Sequence, residues 1–170
     1  LWTGHGREPH PHDGLAGLLH GFFHSQGESA SSLEARLARS PWLSGLNPVE
    51  RAQLMDVMVP GFRGAPASPA DRFVSLASLL RELAEERPLV VVIDDLQRST
   101  ESLAFLEYIT RRRASAGQVG PVLFVATVQS DDPVAEPSAE ERIDTLVLSE
   151  GASLLELAPL SAAAHGRLVT

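Results

Sequence analysis

Leu89-Val90-Val91-Val92-Ile93-Asp94-Asp95-Leu96-Gln97 is the stretch on which the fold of this chain turns. Directly after Pro88 come five apolar residues in a row, most of them β-branched, and then two acids. A continuous apolar run of that length predicts a strand buried on both faces of a parallel sheet. Working downstream, Ser99 is placed to cap a helix carrying Leu103, Leu106, Tyr108 and Ile109 at or near helical spacing. Arg111-Arg112-Arg113 then suit the negative end of that helix's dipole. Gly120-Pro121 breaks the chain, and Val122-Leu123-Phe124-Val125-Ala126 predicts a second buried strand. Ser138 to about Leu148 reads as a further helix. Ser153 to Leu157 reads as a third strand, ended by Ala158-Pro159.

Upstream the period is helical. Asp13 can cap a helix with Leu15, Leu18, Leu19, Phe22 and Phe23 on one side, and Ser32 to Arg39 suggests a short second helix. Asn47-Pro48-Val49-Glu50 combines a capping residue, a proline at the first helical position and a glutamate at the third. The helix it starts carries Leu54, Met55, Val57 and Met58 and stops before Pro60-Gly61; a loop runs on to Pro69. Ser68-Pro69-Ala70-Asp71 repeats the start signal for a long amphipathic helix through Phe73, Leu76, Leu79, Leu80 and Leu83. Leu1-Trp2 fits the tail of a strand. Strands alternating with helices predict an α/β sandwich with a mainly parallel sheet, its N-terminal part largely helical.

Composition narrows the chemistry. The chain has 170 residues, no cysteine and a net charge of −8. Thiolate zinc sites, iron–sulfur clusters and cysteine nucleophiles are therefore excluded, and no basic face argues for nucleic acid or an anionic membrane. The longest apolar stretch falls far short of the ~20 residues of a membrane span. All 14 basic residues are arginine. Without lysine there is neither a Schiff base nor the lysine of a phosphate-binding loop. The chain opens on Leu1, without a signal-peptide pattern, and closes on Ser161 to Thr170, which reads as a capped helix cut short. The expectation is an internal segment of a longer protein.

The chemistry concentrates at Asp94 and Asp95. In open α/β sheets ligands bind beyond the carboxyl ends of the strands. Two neighbouring acids there repel each other and need a cation or hydrogen-bond donors. Magnesium, which takes few carboxylates together with water and substrate phosphates, suits one acid at such a tip. The plainer alternative is that one acid caps the next helix or pairs with an arginine.

The run of four hydrophobics, Asp94-Asp95, Leu96-Gln97 and a serine-led helix with Ser102-Leu103 and Leu106-Glu107-Tyr108 resembles the Walker B region of P-loop ATPases. Within them it is similar to the STAND/AAA group of large bacterial regulators, whose usual form runs Asp-Asp-Leu-(His/Gln)-Trp-Ala-Asp. Val122 to Thr127 resembles that family's next strand with a threonine at its tip, and Leu154-Leu-Glu-Leu-Ala-Pro-Leu-Ser161 the strand and helix entry closing its core. The likeness covers roughly residues 70–170 well and residues 1–69 loosely. It implies a three-layer P-loop sandwich, with residues 1–69 a helical region after a truncated strand, 70–160 the Walker B and sensor core, and 161–170 the start of a helical subdomain. It also implies bound ATP and Mg²⁺. Asp94 would hold the ion, Asp95 would help to polarise the attacking water, Gln97 would stand near the phosphates, and Thr127 would approach the γ-phosphate, with Gln129 beside it.

This sequence departs from that pattern at several places. The glycine-rich Gly-Lys-Ser/Thr loop is missing and is expected before Leu1. Arg98 stands for the usual tryptophan, Thr100 for the aspartate, and Gln129 for an arginine two residues after the tip threonine. Glutamine carries no charge for the phosphates, so slow or absent hydrolysis is expected. The implied protein is a cytoplasmic bacterial signalling or transcription-regulating switch. Its ATPase module would be joined to a kinase, cyclase or DNA-binding output domain and to helical repeats, with oligomerisation possible in principle. The alternative is a degenerate ATPase fold kept as a non-hydrolysing scaffold. A receiver domain with paired acids needs a lysine at a later strand tip and is excluded.

Other motifs are weaker. His20 and His24 have the i, i+4 spacing of a helical zinc site, but no glutamate lies between them, and partly exposed histidines beside an apolar stripe are the simpler reading. Gly4-His5-Gly6 lacks the rest of a dinucleotide loop, and no Gly-x-Ser-x-Gly elbow occurs. Arg111 to Arg113 is most simply a solvated helix end.

Overall fold

The computed structural model describes residues 1–3, 14–61, 67–116, 120–129, 132, 138–158 and 167. Asp13 as a helix cap, Gly4-His5-Gly6 and the Ser161 helix start lie outside them.

Within the described residues the elements run β1 (Trp2–Thr3), α1 (Gly14–Phe23), α2 (Ala30–Leu37), α3 (Pro48–Met58), α4 (Pro69–Glu86), β2 (Leu89–Ile93), α5 (Thr100–Ala116), β3 (Val122–Ala126) and α6 (Ala139–Val147). The start signals act as their chemistry dictates. Asn47 accepts from the backbone N–H of Val49 and Glu50 at 2.9 and 3.0 Å, and the Glu50 carboxylate accepts from the Asn47 N–H at 2.9 Å, a complete capping box. At α4 the Ser68 hydroxyl accepts from the Asp71 N–H at 3.2 Å and donates to its carboxylate at 2.6 Å. Ser99 accepts from the Ser102 N–H at 3.1 Å and opens α5.

The three strands form one parallel sheet in the order β1-β2-β3. β2 and β3 pair over their whole length, from Leu89 opposite Val122 to Ile93 opposite Ala126, and β1 pairs Trp2 with Val92. The architecture is thus α/β with a parallel sheet, as the sequence predicts. The helices pack around one core, in which Leu15, Leu18 and Leu19 of α1, Leu54 of α3, Leu76, Leu79 and Leu80 of α4, and Leu103 and Phe105 of α5 lie within a few per cent of full burial. Val91 and Ile93 enter this core from the sheet, and Phe105 meets Phe124 edge-on at 6.2 Å. Pairing and core together place the carboxyl ends of β2 and β3 side by side.

Two expectations are corrected. β2 and β3 are not buried on both faces: Val90 is 47% exposed, Leu123 59% and Val125 41%. Register puts Val90 opposite Leu123 and Val92 opposite Val125 on the same face. That face lacks a full apolar cover among the described residues, because the helical core gathers against the Val91–Phe124 side. Residues 153–157 form no strand either; they hold no ladder, and Leu154, Leu155 and Leu157 are 63–86% exposed. An apolar run becomes a strand only where a neighbouring ladder accepts it.

Candidate functional site at the strand tips

β2 ends at Ile93, and the chain then turns sharply. Asp94 continues from the strand, while Asp95 takes the left-handed conformation (φ 52°, ψ 48°), and Leu96–Arg98 follows as one turn of 3₁₀ helix. For a non-glycine residue the left-handed region is costly, and aspartate is among those that tolerate it. The turn lifts the backbone from the sheet while keeping both acids at its edge.

Thr127, one residue past β3, holds that turn with both its backbone and its side chain. Its N–H donates to the Ile93 carbonyl and its carbonyl accepts from the Leu96 N–H, each at 3.0 Å. Its hydroxyl donates to Asp94 Oδ1 and accepts from the Asp95 N–H at 3.0 Å. The single hydroxyl proton is therefore used on the Asp94 carboxylate, and a lone pair receives the amide. Asp94 and Asp95 are both half-buried and Thr127 is exposed. The structure thus brings Asp94, Asp95 and Thr127 into one hydrogen-bonded group, although 33 residues separate Asp94 from Thr127.

Gln97 and Gln129 sit differently. Gln97 is only 3% exposed; its amide N–H donates to Asp132 Oδ2 at 2.8 Å, and its carbonyl oxygen accepts from the Gln129 backbone N–H at 3.3 Å. It braces two loops behind the acids. The Gln129 side chain lies in an exposed residue, beyond the exposed Val128. Arg98, at the place where the resembled family has tryptophan, pairs with Asp132 through Nε at 2.5 Å and Nη2 at 3.1 Å. The hydrogen bond to Asp132 raises the guanidinium above its ordinary pKa; burial opposes this, and the charges of Asp132 and then Asp95 add to the rise. Arg98 thus remains a cation throughout the neutral range and sits within electrostatic reach of Asp95.

Asp132 is the residue that sequence reasoning missed. Its side chain is fully shielded from solvent. The available signal was a second Asp-Asp pair, Asp131-Asp132, a few residues beyond the apolar run Val122–Ala126, to set beside an arginine a few residues beyond Leu89–Ile93.

For a divalent ion the relevant donors are the Asp94 and Asp95 carboxylates. Asp94 Oδ1 already accepts from Thr127, and its second oxygen lies in a half-buried residue at the edge. One or two carboxylates with water and phosphate oxygens match magnesium's demand. Among the described residues no three histidine, aspartate or glutamate side chains gather as a protein-only metal cage. The His20–His24 pair does not form one: His20 is 2% exposed, not partly exposed as expected, with its ring nitrogens on the Ser25 hydroxyl at 2.9 Å and the Met58 carbonyl at 3.1 Å. His24 lies beyond the end of α1 with φ 50°. A shallow apolar groove that includes Leu37, Ala38, Pro48 and Met55 is built from α2, α3 and their flanks, not from the strand tips. Among the described residues no helix is long and apolar enough to cross a membrane.

No family model, curated protein or solved structure matches the chain.

Proposed function

We propose that this chain is the Walker B-bearing part of an ATP-binding switch module of the STAND/AAA kind, in a cytoplasmic bacterial signalling or transcription-regulating protein. One observation carries the reading: at the carboxyl end of a parallel strand, the Asp94 carboxylate and the backbone N–H of the left-handed Asp95 meet on the hydroxyl of a threonine at the tip of the next strand. That is the place at which open α/β sheets take up ligands. Asp94 is the residue to hold Mg²⁺, and Asp95 the one to orient and polarise a water. Thr127 fixes the direction of Asp94, its one hydroxyl proton being used on that carboxylate. Bound Mg²⁺ would supply charge neutralisation for the phosphates. The lysine-free composition means that the main phosphate grip is contributed by residues other than these 170. The uncovered face at Val90, Leu123 and Val125 supports a third layer being added in the same way. Kinase, cyclase, DNA-binding or helical-repeat domains are the proposed covalent partners, and no nucleic acid is proposed to bind this module directly.

The test is Mg²⁺-ATP binding and turnover by the longer protein that contains this chain. Binding is expected, with Asp95→Asn retaining it while turnover falls by about 10²-fold or more, the usual contribution of a positioned base. Asp94→Asn should raise the Mg²⁺ concentration required. An absence of nucleotide binding overturns the reading.

A second reading, a non-hydrolysing scaffold on the same fold, is favoured by one arrangement. Gln97 is buried, and its amide is used on Asp132 and the Gln129 backbone. Binding without turnover in the native protein would select it.

A further inference from the structure

We infer that Asp132 is a positioning residue for the strand-tip acids, holding the turn that sets the left-handed conformation of Asp95. The inference rests on the strand-tip reading only where it concerns the cation.

Three connections make the argument. Asp132 receives hydrogen bonds from Gln97 and, at two points, from Arg98, both in the 3₁₀ turn that begins one residue after Asp95. Gln97 in turn receives the Gln129 N–H, two residues beyond Thr127. Thr127 closes the circuit on Asp94, Asp95 and Leu96. The acids therefore sit inside a ring of hydrogen bonds that joins the loops following β2 and β3.

A non-glycine residue persists in the left-handed region only when its surroundings over-determine it. On one side of Asp95 that work is done by Thr127. On the other it is done by the turn, whose two polar side chains both end on Asp132. A buried carboxylate needs its donors as much as they need it, and charge-assisted two-point contact by a guanidinium fixes direction as well as distance. Neutralising Asp132 removes the charge that orients Arg98. The turn then keeps only its backbone bonds, such as that from the Arg98 N–H to the Asp95 carbonyl at 3.0 Å, and the Asp95 backbone relaxes toward right-handed values. Asp132 itself touches neither acid in this network; its effect is transmitted through the backbone from residues 96–98 to residue 95.

The experiment is nuclear magnetic resonance on the 170-residue chain. Asp132→Asn is nearly isosteric, and its amide keeps one acceptor. In this variant the β2 and β3 amide resonances should stay in place, whereas the Asp95 Cα shift and its N–H to Hα coupling should move toward right-handed values. Titration with Mn²⁺ alone should broaden the Asp94 and Asp95 amides of the native chain. In Asp132→Asn this should require about ten times more ion, the lower end of the loss seen when a residue supporting a metal ligand is removed. Arg98→Lys, which keeps the charge but loses the two-point grip, should give a smaller change in the same Asp95 signals. It decides the matter if Asp132→Asn does not fold. Unchanged Asp95 resonances in a folded Asp132→Asn chain, or in Arg98→Lys if that is the only folded variant, overturn the inference. If Mn²⁺ leaves the native strand tips sharp, the cation reading falls, and the Asp95 signals still decide the role of Asp132.

Discussion

The two faces of the parallel sheet are made from the same kinds of residue and live in different surroundings. On one, Val91 and Ile93 are fully buried and Phe124 packs toward Phe105. On the other, reached by moving one residue along the same strands, Val90, Leu123 and Val125 are about half exposed. Backbone pairing is identical for both, because β2 and β3 are in register throughout. Pairing and β-branched propensity therefore make the strands, while burial is decided by what lies above each face. Parallel sheets are normally covered on both sides, so among the described residues the open face is where apolar surface is still left to bury.

That contrast can be pressed by substitution. The largest effect should come from Ile93→Ala, which opens a cavity in the covered face and should cost about 3 kcal/mol in chemical denaturation. A loss below about 1 kcal/mol would mean that this face is not packed as described. Next, Val91→Thr buries a hydroxyl among apolar neighbours and should cost roughly 1–3 kcal/mol. The same exchange one residue earlier, Val90→Thr, should fall within about 0.5 kcal/mol of zero. Equal losses for this adjacent pair would show that the second face is covered in solution. Asp95→Gly removes the left-handed penalty and should raise stability by up to about 1 kcal/mol, a gain readable as a small upward shift in Tm. The smallest effect on folding, and the most telling for the open face, belongs to Leu123→Lys. It should leave Tm nearly unchanged and reduce concentration-dependent self-association in sedimentation.

Much of this was legible in the residues, and the illegible remainder has a common cause. The starts of α3 and α4 could be read from Asn47-Pro48-Val49-Glu50 and Ser68-Pro69-Ala70-Asp71 because capping is local chemistry, complete within four residues. β2 and β3 could be read to their end residues because a run of Val, Ile and Leu between Pro or Gly breaks has few other uses. Ser153–Leu157 carries a similar pattern and forms no strand, since a strand needs a neighbour and sequence pattern does not supply one. The same holds at the candidate site. Asp94, Asp95 and Thr127 announce themselves as polar residues ending apolar runs, and the structure joins them. Asp132 and the inward turn of Gln97 could not be read so directly, because their meaning lies in a contact across 35 residues of chain.

The hydroxyl of Thr127 and the carboxylate of Asp94 meet only after the intervening helix, α5, has carried β3 alongside β2. Any molecule requiring both groups therefore recognises the finished sheet and has nothing comparable to grip in the unfolded chain. By mass action such a molecule raises the melting temperature in proportion to the logarithm of its concentration once that exceeds Kd. A thermal-shift screen of this chain is thus also a census of what its strand tips recognise.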